Sequence, residues 1–128
     1  MITQGAFVWY DLMTPDMAAA QAFYEAVVGW NAQDSGMPGH AYTLFTVDGR
    51  PMAGLMSLTQ DMRDMGVPPC WTGYVAVSDV DGVAAAMQAD GGTVRKGPED
   101  IPGVGRFAVV ADPQGAVLCL FKGQGDME

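Results

Sequence analysis

The sequence is poor in basic residues, in cysteine and in histidine, and these shortages exclude several classes of protein. Six lysines and arginines stand against fifteen acidic residues, which gives a formal net charge of −9. Such a surface repels phosphate backbones, so we expect no nucleic-acid partner. The two cysteines, Cys70 and Cys119, are too few for a disulfide scaffold. They favour a cytoplasmic protein, with either two buried inert thiols or a reactive pair.

Long apolar stretches are also missing. No run of about eighteen or more apolar residues occurs, so neither a membrane span nor a membrane partner is expected. The first residues lack the basic and apolar segments of a secretory signal. Hydrophobic residues nevertheless make up 49% of the 128 residues and charged residues only 16%, which is enough apolar surface to fold and too little charge for a disordered chain. Ten methionines suit an irregular core or an adaptable apolar pocket.

The chain contains an internal repeat. Each copy begins with a strand rich in aromatic and β-branched residues and continues into a helix that ends at glycine. Thr14 or Asp16 is predicted to cap the first helix, and Ser78 or Asp79 the second. Asp16 and Asp79 lie 63 residues apart, which is close to half of the chain.

Further strand-like pieces follow each helix, so each half is predicted to be a βαβββ module. The predicted strands are residues 7–12, 31–38, 41–47 and 51–58 in the first half, and residues 70–77, 93–95, 106–111 and 116–122 in the second. Prolines and charges mark residues 59–69 as a linker between module one, 5–58, and module two, 70–122, of a single domain, 1–128. We therefore predict an α+β fold: two βαβββ modules forming paired half-barrel sheets with helices outside, and a small-molecule site in the cleft between them.

In its motifs the chain resembles the vicinal oxygen chelate superfamily, which includes glyoxalase I, extradiol dioxygenases and bleomycin-resistance proteins. The resemblance covers residues from about 7 to 122 and rests on motifs that occur in this order: Asp16…Phe23-Tyr24…Gly29, Val77-Ser78-Asp79…Gly91-Gly92, and Asp112-Pro113-Gln114-Gly115. It implies a glyoxalase-like domain and a divalent metal held by His or Glu from the first and last strands of each module. By position, these metal places hold Trp9, Thr72, Cys119 and a residue between 54 and 56. Such side chains are not a hard-metal ligand set, so we expect no metal ligand and no cofactor, although the resemblance by itself implies a divalent metal.

The residues that would line the cleft follow from the alternation of side chains along a strand. If Trp9 faces the cleft, then Phe7 and Asp11 face it too, while Val8, Tyr10 and Leu12 pack under the helix. The predicted ligand-binding residues are Phe7, Trp9, Asp11, Met56, Thr72, Tyr74 and Cys119. Asp11 is also the candidate catalytic residue: its carboxylate is either a general base or hydrogen-bond acceptor for a ligand, or a brace for a neighbouring strand.

Other residues also have more than one interpretation. Trp9 either stacks on a planar ligand or fills the core, whereas alternation turns Trp71 toward a helix. Arg106 either meets an anionic ligand or is solvated. His40, the only histidine, is expected at the surface or at a strand end, and the pair Phe23-Tyr24 is expected in the helix core.

Two functions follow from these residues and from the resemblance. The first is a small-molecule binding protein of the glyoxalase/bleomycin-resistance type that needs no metal, with a preference for cationic or planar aromatic ligands. The alternative is a glyoxalase-like lyase or isomerase, or another enzyme of the superfamily, with Asp11 as base or with an atypical metal site. A third interpretation is that the chain is half of a larger ancestral architecture and retains no site. A homodimer is expected, because a second chain often completes paired sheets of this kind.

Overall fold

The computed structural model describes residues 4–36 and 41–123, and these residues form two compact units. The first unit comprises residues 9–72, and the second comprises the described residues on either side of it. Four strands and one long helix occur in the same chain order in each half. The predicted α+β fold of two βαβββ modules is therefore confirmed.

The first unit carries module one. Its elements are β1 (Phe7–Thr14), α1 (Met17–Val27), β2 (Asn31–Asp34), β3 (Thr43–Val47), β4 (Arg50–Ser57) and a short helix, α2 (Gln60–Asp64). The strands lie in the order β2-β3-β4-β1, with β1 parallel to β4 and the other neighbours antiparallel. The first two residues of β1, Phe7 and Val8, belong to the second unit.

The second unit carries most of module two. Its elements are β5 (Cys70–Ala76), which begins in the first unit, α3 (Val80–Ala89), β6 (Thr93–Ile101), β7 (Gly105–Ala111) and β8 (Val117–Gly123). The strands lie in the order β5-β8-β7-β6, with β5 parallel to β8. The N–H of Gly5 donates to the carbonyl of Ala76 at 2.7 Å, and the N–H of Ala76 donates to the carbonyl of Ala6 at 2.8 Å.

An aspartate caps each of the two long helices. The carboxylate of Asp16 accepts from the N–H of Ala19 at 3.0 Å, and that of Asp79 accepts from the N–H of Gly82 at 3.0 Å. The first N–H groups of a helix have no partner inside it, so each such cap contributes about 1 kcal/mol. The sequence predicted two candidate caps for each helix, and in the structure Asp16 and Asp79 are the residues that cap.

Each long helix covers one face of the strands of its own unit. The buried apolar clusters consist of Leu12, Phe45, Ala53 and Leu55 in the first unit, and of Val77, Val80, Ala84, Ala108, Val110 and Leu120 in the second. Because side chains alternate along a strand, the neighbours of Leu12 and Leu55 point the other way. Asp11 and Gly54 therefore lie on the face of the first unit's strands that points away from α1.

Two expectations are corrected, and the predicted linker has a local structure of its own. Val8 and Tyr10 do not pack under the helix but are each 45% exposed, because Leu12 is the residue of β1 that reaches the cluster beneath α1. Phe23 is 56% exposed, since α1 turns the next residue, Tyr24, toward the strands. The predicted linker contains a helix, α2, where the hydroxyl of its cap, Thr59, accepts from the N–H of Met62 at 3.1 Å.

Two further observations complete the fold. His40 lies outside the described residues. Within residues 4–36 and 41–123, no helix is both long enough and apolar enough to cross a membrane.

Candidate functional site

A polar cluster surrounds Asp11 on the face of β1 that points away from α1. Asp11 is only 5% exposed. Its Oδ1 accepts a hydrogen bond from the hydroxyl of Tyr42 at 2.5 Å and another from the indole N–H of Trp9 at 3.0 Å. The same indole N–H lies 2.9 Å from Tyr42 Oη, so two acceptors share it. We call these three side chains the Trp9–Asp11–Tyr42 cluster.

Gly54 allows Tyr42 to reach Asp11. Tyr42 directly precedes β3, and β4 lies between β3 and β1, so the phenol ring has to pass over β4. It passes at Gly54, which is the register partner of Asp11. A Cβ added to Gly54 would collide with the hydroxyl of Tyr42 and with Oδ1 of Asp11. A glycine is therefore required here by close approach, which is one of the recognised uses of glycine within a strand.

The proton of the cluster's phenol is firmly held. Burial raises the pKa of Tyr42 above its ordinary value of 10.0, and the negative charge of Asp11 and the hydrogen bond to it raise that pKa further. The hydrogen bond from Trp9 acts in the opposite direction and is the smallest contribution. Tyr42 is therefore neutral at physiological pH and donates its proton to the buried carboxylate, which such a carboxylate needs.

The internal repeat extends to the register of the parallel strand pairs. Asp11 of β1 lies opposite Gly54 of β4. Tyr74, the counterpart of Asp11 in module two, lies opposite Cys119 of β8. Gly54 is thus the equivalent of Cys119, and the metal place that the sequence locates only within residues 54–56 falls at position 54.

The four metal places do not supply a ligand set. The indole nitrogen of Trp9 carries a hydrogen, which it donates within the cluster, and it has no lone pair for a metal ion. Gly54 has no side chain, Thr72 is a neutral hydroxyl that is 5% exposed, and Cys119 is a thiol that is 4% exposed. In the described parts of the chain, no three or more His, Cys, Asp or Glu side chains form a group that could hold a metal. The residues present therefore do not fit the divalent metal that the family resemblance implies.

Four of the seven predicted ligand-binding residues belong to the first unit. Trp9 and Asp11 are brought together in the cluster. Met56 is half-buried and lies two residues along β4 from Gly54, so it shares the cluster's face of the strands. Thr72 is buried near the start of β5.

The other three predicted residues belong to the second unit. Tyr74 and Cys119 are register partners on β5 and β8. The ring of Tyr74 also packs edge-on against Phe121, with the ring centroids 6.1 Å apart. Phe7 is 56% exposed.

Trp71 faces helix α1, as strand alternation predicts. Its indole N–H donates to the hydroxyl of Tyr24 at 3.2 Å. Its ring centroid lies 5.5 Å from that of Tyr24 and 5.9 Å from that of Trp30, in both cases edge-to-face. These contacts, which are favourable for aromatic rings, give Trp71 a packing role against Tyr24 and Trp30, with 40% of its surface exposed.

Arg106 is held by two carboxylates. Its Nε and Nη2 lie 2.6 and 3.0 Å from the carboxylate of Asp81, and its Nη1 lies 2.9 Å from Asp100. The hydrogen bonds to Arg106 lower the pKa of Asp81, and those to Asp81 and Asp100 raise the pKa of Arg106. Since the guanidinium is already paired twice, the proposal of an anionic ligand at Arg106 has little support from the geometry.

Sequence reasoning missed two members of this site, Tyr42 and Gly54. Nothing in the spacing of Tyr42 indicates that its ring would cross a neighbouring strand to reach Asp11. Gly54 did carry a signal, because a glycine inside a predicted strand indicates a bulge or a close approach.

Two surface concavities in the described part of the chain lie away from this cluster. One of about 400 Å³ is lined by Asp81, Gln88 and Pro98 among others, and one of about 410 Å³ is lined by Val47, Asp48, Arg50 and Met52. The charged residues that line them are exposed, and neither concavity brings a buried titratable group to its surface. The chemistry of the side chains therefore singles out the Trp9–Asp11–Tyr42 cluster.

Comparison with known proteins identifies the family. The model of the Glyoxalase/Bleomycin resistance protein/Dioxygenase superfamily matches residues 6–120, so the chain belongs to this superfamily. The chain is 36% identical over 121 residues to the Mycobacterium tuberculosis protein named "Putative glyoxylase CFP32", which covers 93% of the chain and 46% of that protein. It is also 36% identical over 135 residues to the anthracycline biosynthesis protein DauV of Streptomyces sp. (strain C5), which covers 97% of the chain and 49% of that protein. The chain thus spans about half the length of the curated relatives it matches.

Solved structures agree with the fold. A variant of Streptomyces coelicolor methylmalonyl-CoA epimerase, in complex with 2-nitronate-propionyl-CoA, superposes with a TM-score of 0.64 at 17% identity, covering 98% of this chain and 99% of that one. The methylmalonyl-CoA epimerase of Mycobacterium tuberculosis gives a TM-score of 0.62 at 15% identity, covering 96% and 93%. At such identities the likeness concerns the fold alone.

Proposed function

We propose that this chain is a small-molecule binding protein of the glyoxalase/bleomycin-resistance type that works without a bound metal. In this proposal the ligand contacts the Trp9–Asp11–Tyr42 cluster. The observation that carries it is the state of Trp9 at the first metal place, where the indole N–H is engaged by Asp11 at 3.0 Å and by Tyr42 at 2.9 Å. The hydrogen-bonded indole of Trp9 therefore occupies the position at which the family resemblance implies a metal ligand.

The surroundings of the cluster also support a binding role. Met13 and Met56 are register partners, both half-buried, and lie two residues along their strands from Asp11 and Gly54. Thioether side chains adapt their shape to planar or irregular apolar groups. A few polar atoms amid apolar side chains is the usual composition of a small-molecule site.

The second candidate function is that of a glyoxalase-like lyase or isomerase, or of another enzyme of the superfamily, with Asp11 as general base. A buried carboxylate on a strand of this fold favours it, and so does the word glyoxylase in the name of the relative CFP32. The hydrogen bonds make one oxygen of this carboxylate, Oδ1, a poor base, because it already accepts from both Tyr42 and Trp9. A proton could reach that oxygen only if one of these donors left it.

The experiment that tests the binding function combines metal analysis with ligand screening. We expect purified protein, incubated with Zn²⁺, Mn²⁺ or Fe²⁺ and then desalted, to retain far less than one ion per chain. We expect planar aromatic compounds to raise the melting temperature, and expect Trp9→Ala to lose that rise. Phe23→Ala removes an exposed aromatic ring of α1 (56% exposed) and is the matched control that should keep it.

Three results would contradict the proposal or redirect it. Stoichiometric retention of a divalent ion would contradict metal independence. A ligand response that survives in Trp9→Ala would contradict the location of the site. Turnover of a 2-oxoaldehyde–thiol adduct that is present in the wild type and absent in Asp11→Asn would favour the enzymatic alternative.

The partner and location of the chain belong to the same proposal. We propose a cytoplasmic homodimer that associates through α1. Phe23, Val27 and Val28 are 56%, 65% and 50% exposed, and Glu25 is the only charged residue between positions 17 and 30. Two copies that each carry a net charge of −9 repel each other least across a surface with so few charges.

Sedimentation velocity tests the homodimer. Val27→Glu, on the exposed face of α1, is expected to yield monomers with an unchanged far-ultraviolet circular dichroism spectrum. Gln88→Glu makes the same change of charge at an exposed position of α3 and should leave the dimer intact. A wild-type protein that sediments as a monomer at micromolar concentration would contradict this part of the proposal.

A further inference from the structure

The hydrogen-bond inventory of the Trp9–Asp11–Tyr42 cluster restricts which ligands it can bind. The cluster holds two donor hydrogens, one on the indole of Trp9 and one on the phenol of Tyr42, because a carboxylate has none. The phenol hydrogen is directed at Oδ1 of Asp11 over 2.5 Å, and the indole hydrogen is shared between that oxygen at 3.0 Å and Tyr42 Oη at 2.9 Å. Both donors of the cluster are therefore engaged inside it.

What the cluster can still offer a ligand is acceptor capacity and negative charge. A phenol oxygen has two lone pairs, and Tyr42 Oη accepts one hydrogen bond, from Trp9. Tyr42 does not ionise at physiological pH, because burial and the charge of Asp11 raise its pKa. Its hydroxyl therefore continues to donate to Asp11, and its oxygen retains one lone pair for a ligand. Trp9 and Tyr42 are half-buried, so part of each side chain remains open to a ligand.

We propose, resting on the binding function above, that the cluster selects ligands that carry a hydrogen-bond donor. Planar aromatic ammonium compounds are the preferred class. The donor hydrogen meets the lone pair of Tyr42 Oη, the positive charge is stabilised by the nearby Asp11, and the ring contacts the indole of Trp9. A ligand group that is only an acceptor, such as a carboxylate or a ketone, finds no free hydrogen there. A carboxylate also meets the charge of Asp11.

This polarity is the reverse of that of a metal site. A divalent metal accepts lone pairs, so it binds ligands through their oxygen atoms. Asp11, Trp9 and Tyr42 supply lone pairs and charge instead. A metal at this position would bind ligand oxygen atoms through their lone pairs. The cluster instead favours ligands whose N–H or O–H groups donate a hydrogen bond.

Three probes with one ring system test the inference. They are 2-naphthylmethylamine, which is an ammonium ion at pH 7, 2-naphthalenemethanol, which has one hydroxyl, and 2-naphthoate, which is an acceptor only. Titration calorimetry on the full chain is expected to give the ammonium compound a dissociation constant at least about tenfold lower than that of naphthoate, with the alcohol between them. Asp11→Asn is expected to remove most of the advantage of the ammonium compound over the alcohol.

A matched charge control separates the cluster from the general acidity of the protein. Glu25→Gln changes the net charge by the same amount as Asp11→Asn, and Glu25 is an exposed residue of α1. It should leave the preference for ammonium unchanged. Equal losses in the two variants would mean that the whole acidic surface attracts the probe, and would overturn the inference.

A second measurement observes the cluster in the wild-type protein and uses a variant only to assign the signal. In nitrogen-15 spectra of the wild type, the indole signal of Trp9, assigned by its loss in Trp9→Phe, should shift on addition of the ammonium probe while its hydrogen stays slow to exchange. Tight binding of naphthoate that is lost in Trp9→Ala would overturn the donor inference and leave the binding function standing. If no probe bound, and no planar compound raised the melting temperature, both proposals would be wrong.

Discussion

Gly54→Ala is the sharpest perturbation of the cluster, because a single methyl group would separate Tyr42 from Asp11. The backbone of Gly54 is not in the left-handed region, and the obstacle is steric: the new Cβ would collide with the phenol of Tyr42 and with Oδ1 of Asp11. At a position where alanine fits, replacing glycine stabilises a protein by about 0.4–1 kcal/mol through the unfolded state. A loss of stability at position 54 therefore reports the collision itself.

The expected loss is about 2–4 kcal/mol. Tyr42 must leave Asp11, and a hydrogen bond to a charged group contributes about 1.5–3 kcal/mol. Insertion of a methyl group into a packed site adds about 1–3 kcal/mol, and the unfolded-state gain offsets part of this. Against a total stability of about 5–15 kcal/mol for a domain, the change is large. Urea denaturation followed by circular dichroism measures it as a shift of the midpoint at constant slope.

A double-mutant cycle assigns the loss to the named contact. In a Tyr42→Ala background the ring is gone, so Gly54→Ala should lose at least about 1 kcal/mol less stability than it does in the wild type. Gly66→Ala is the control for a glycine in open space: its φ is +75° with nothing within 4 Å of a new Cβ, and only the left-handed backbone should contribute, about 1–2 kcal/mol. A Gly54→Ala protein as stable as the wild type, or additive with Tyr42→Ala, would refute the reasoning.

Three further predictions concern the rest of the structure. Tyr42 has a raised pKa, so the stability that it contributes is fully present below about pH 10 and is lost as the pH rises beyond that value. Urea midpoints measured from about pH 9 to 11.5 should therefore fall more steeply in the wild type than in Tyr42→Phe. Phe45→Ala, at a residue that is 0% exposed, should destabilise by about 3–5 kcal/mol, whereas Met65→Ala, at 73% exposure, should stay within about 0.5 kcal/mol in the same assay. Arg106→Gln removes exposed ion pairs, so its small effect should vanish in high salt, as melting curves at two ionic strengths would reveal.

The fold could be predicted from the sequence because the repeated elements have local signals. Asp16 and Asp79 are strong helix caps at equivalent positions, and each is followed by a helix that ends at a glycine. Strand alternation separated Asp11 from Leu12 correctly, since one joins the polar cluster and the other the apolar core. These features depend on neighbouring residues, which a sequence displays directly.

The site was harder to predict because it depends on contacts between distant residues. The hydrogen bond between Tyr42 and Asp11 joins positions 31 residues apart, and it exists only because β4 lies between their strands and has a glycine at the crossing point. Exposure in the first half of β1 was also mispredicted for Val8 and Tyr10, since alternation gives the face of a side chain but not how far a helix extends over it. Local patterns contain no information about either.

The two modules reach a similar composition at this position by different routes. In module one a phenol arrives from outside the strand pair, and Asp11 and Gly54 together leave the space it occupies. In module two the phenol belongs to the pair itself, as Tyr74, and the thiol of Cys119 takes the opposite place. The register of the parallel pair is the same in both, so the duplicated backbone tolerates either solution. A carboxylate requires a donor when it is buried, whereas a tyrosine beside a cysteine does not depend on a partner of opposite charge. The Trp9–Asp11–Tyr42 cluster therefore requires both Gly54 and Tyr42, and the two residues are expected to be functional only together.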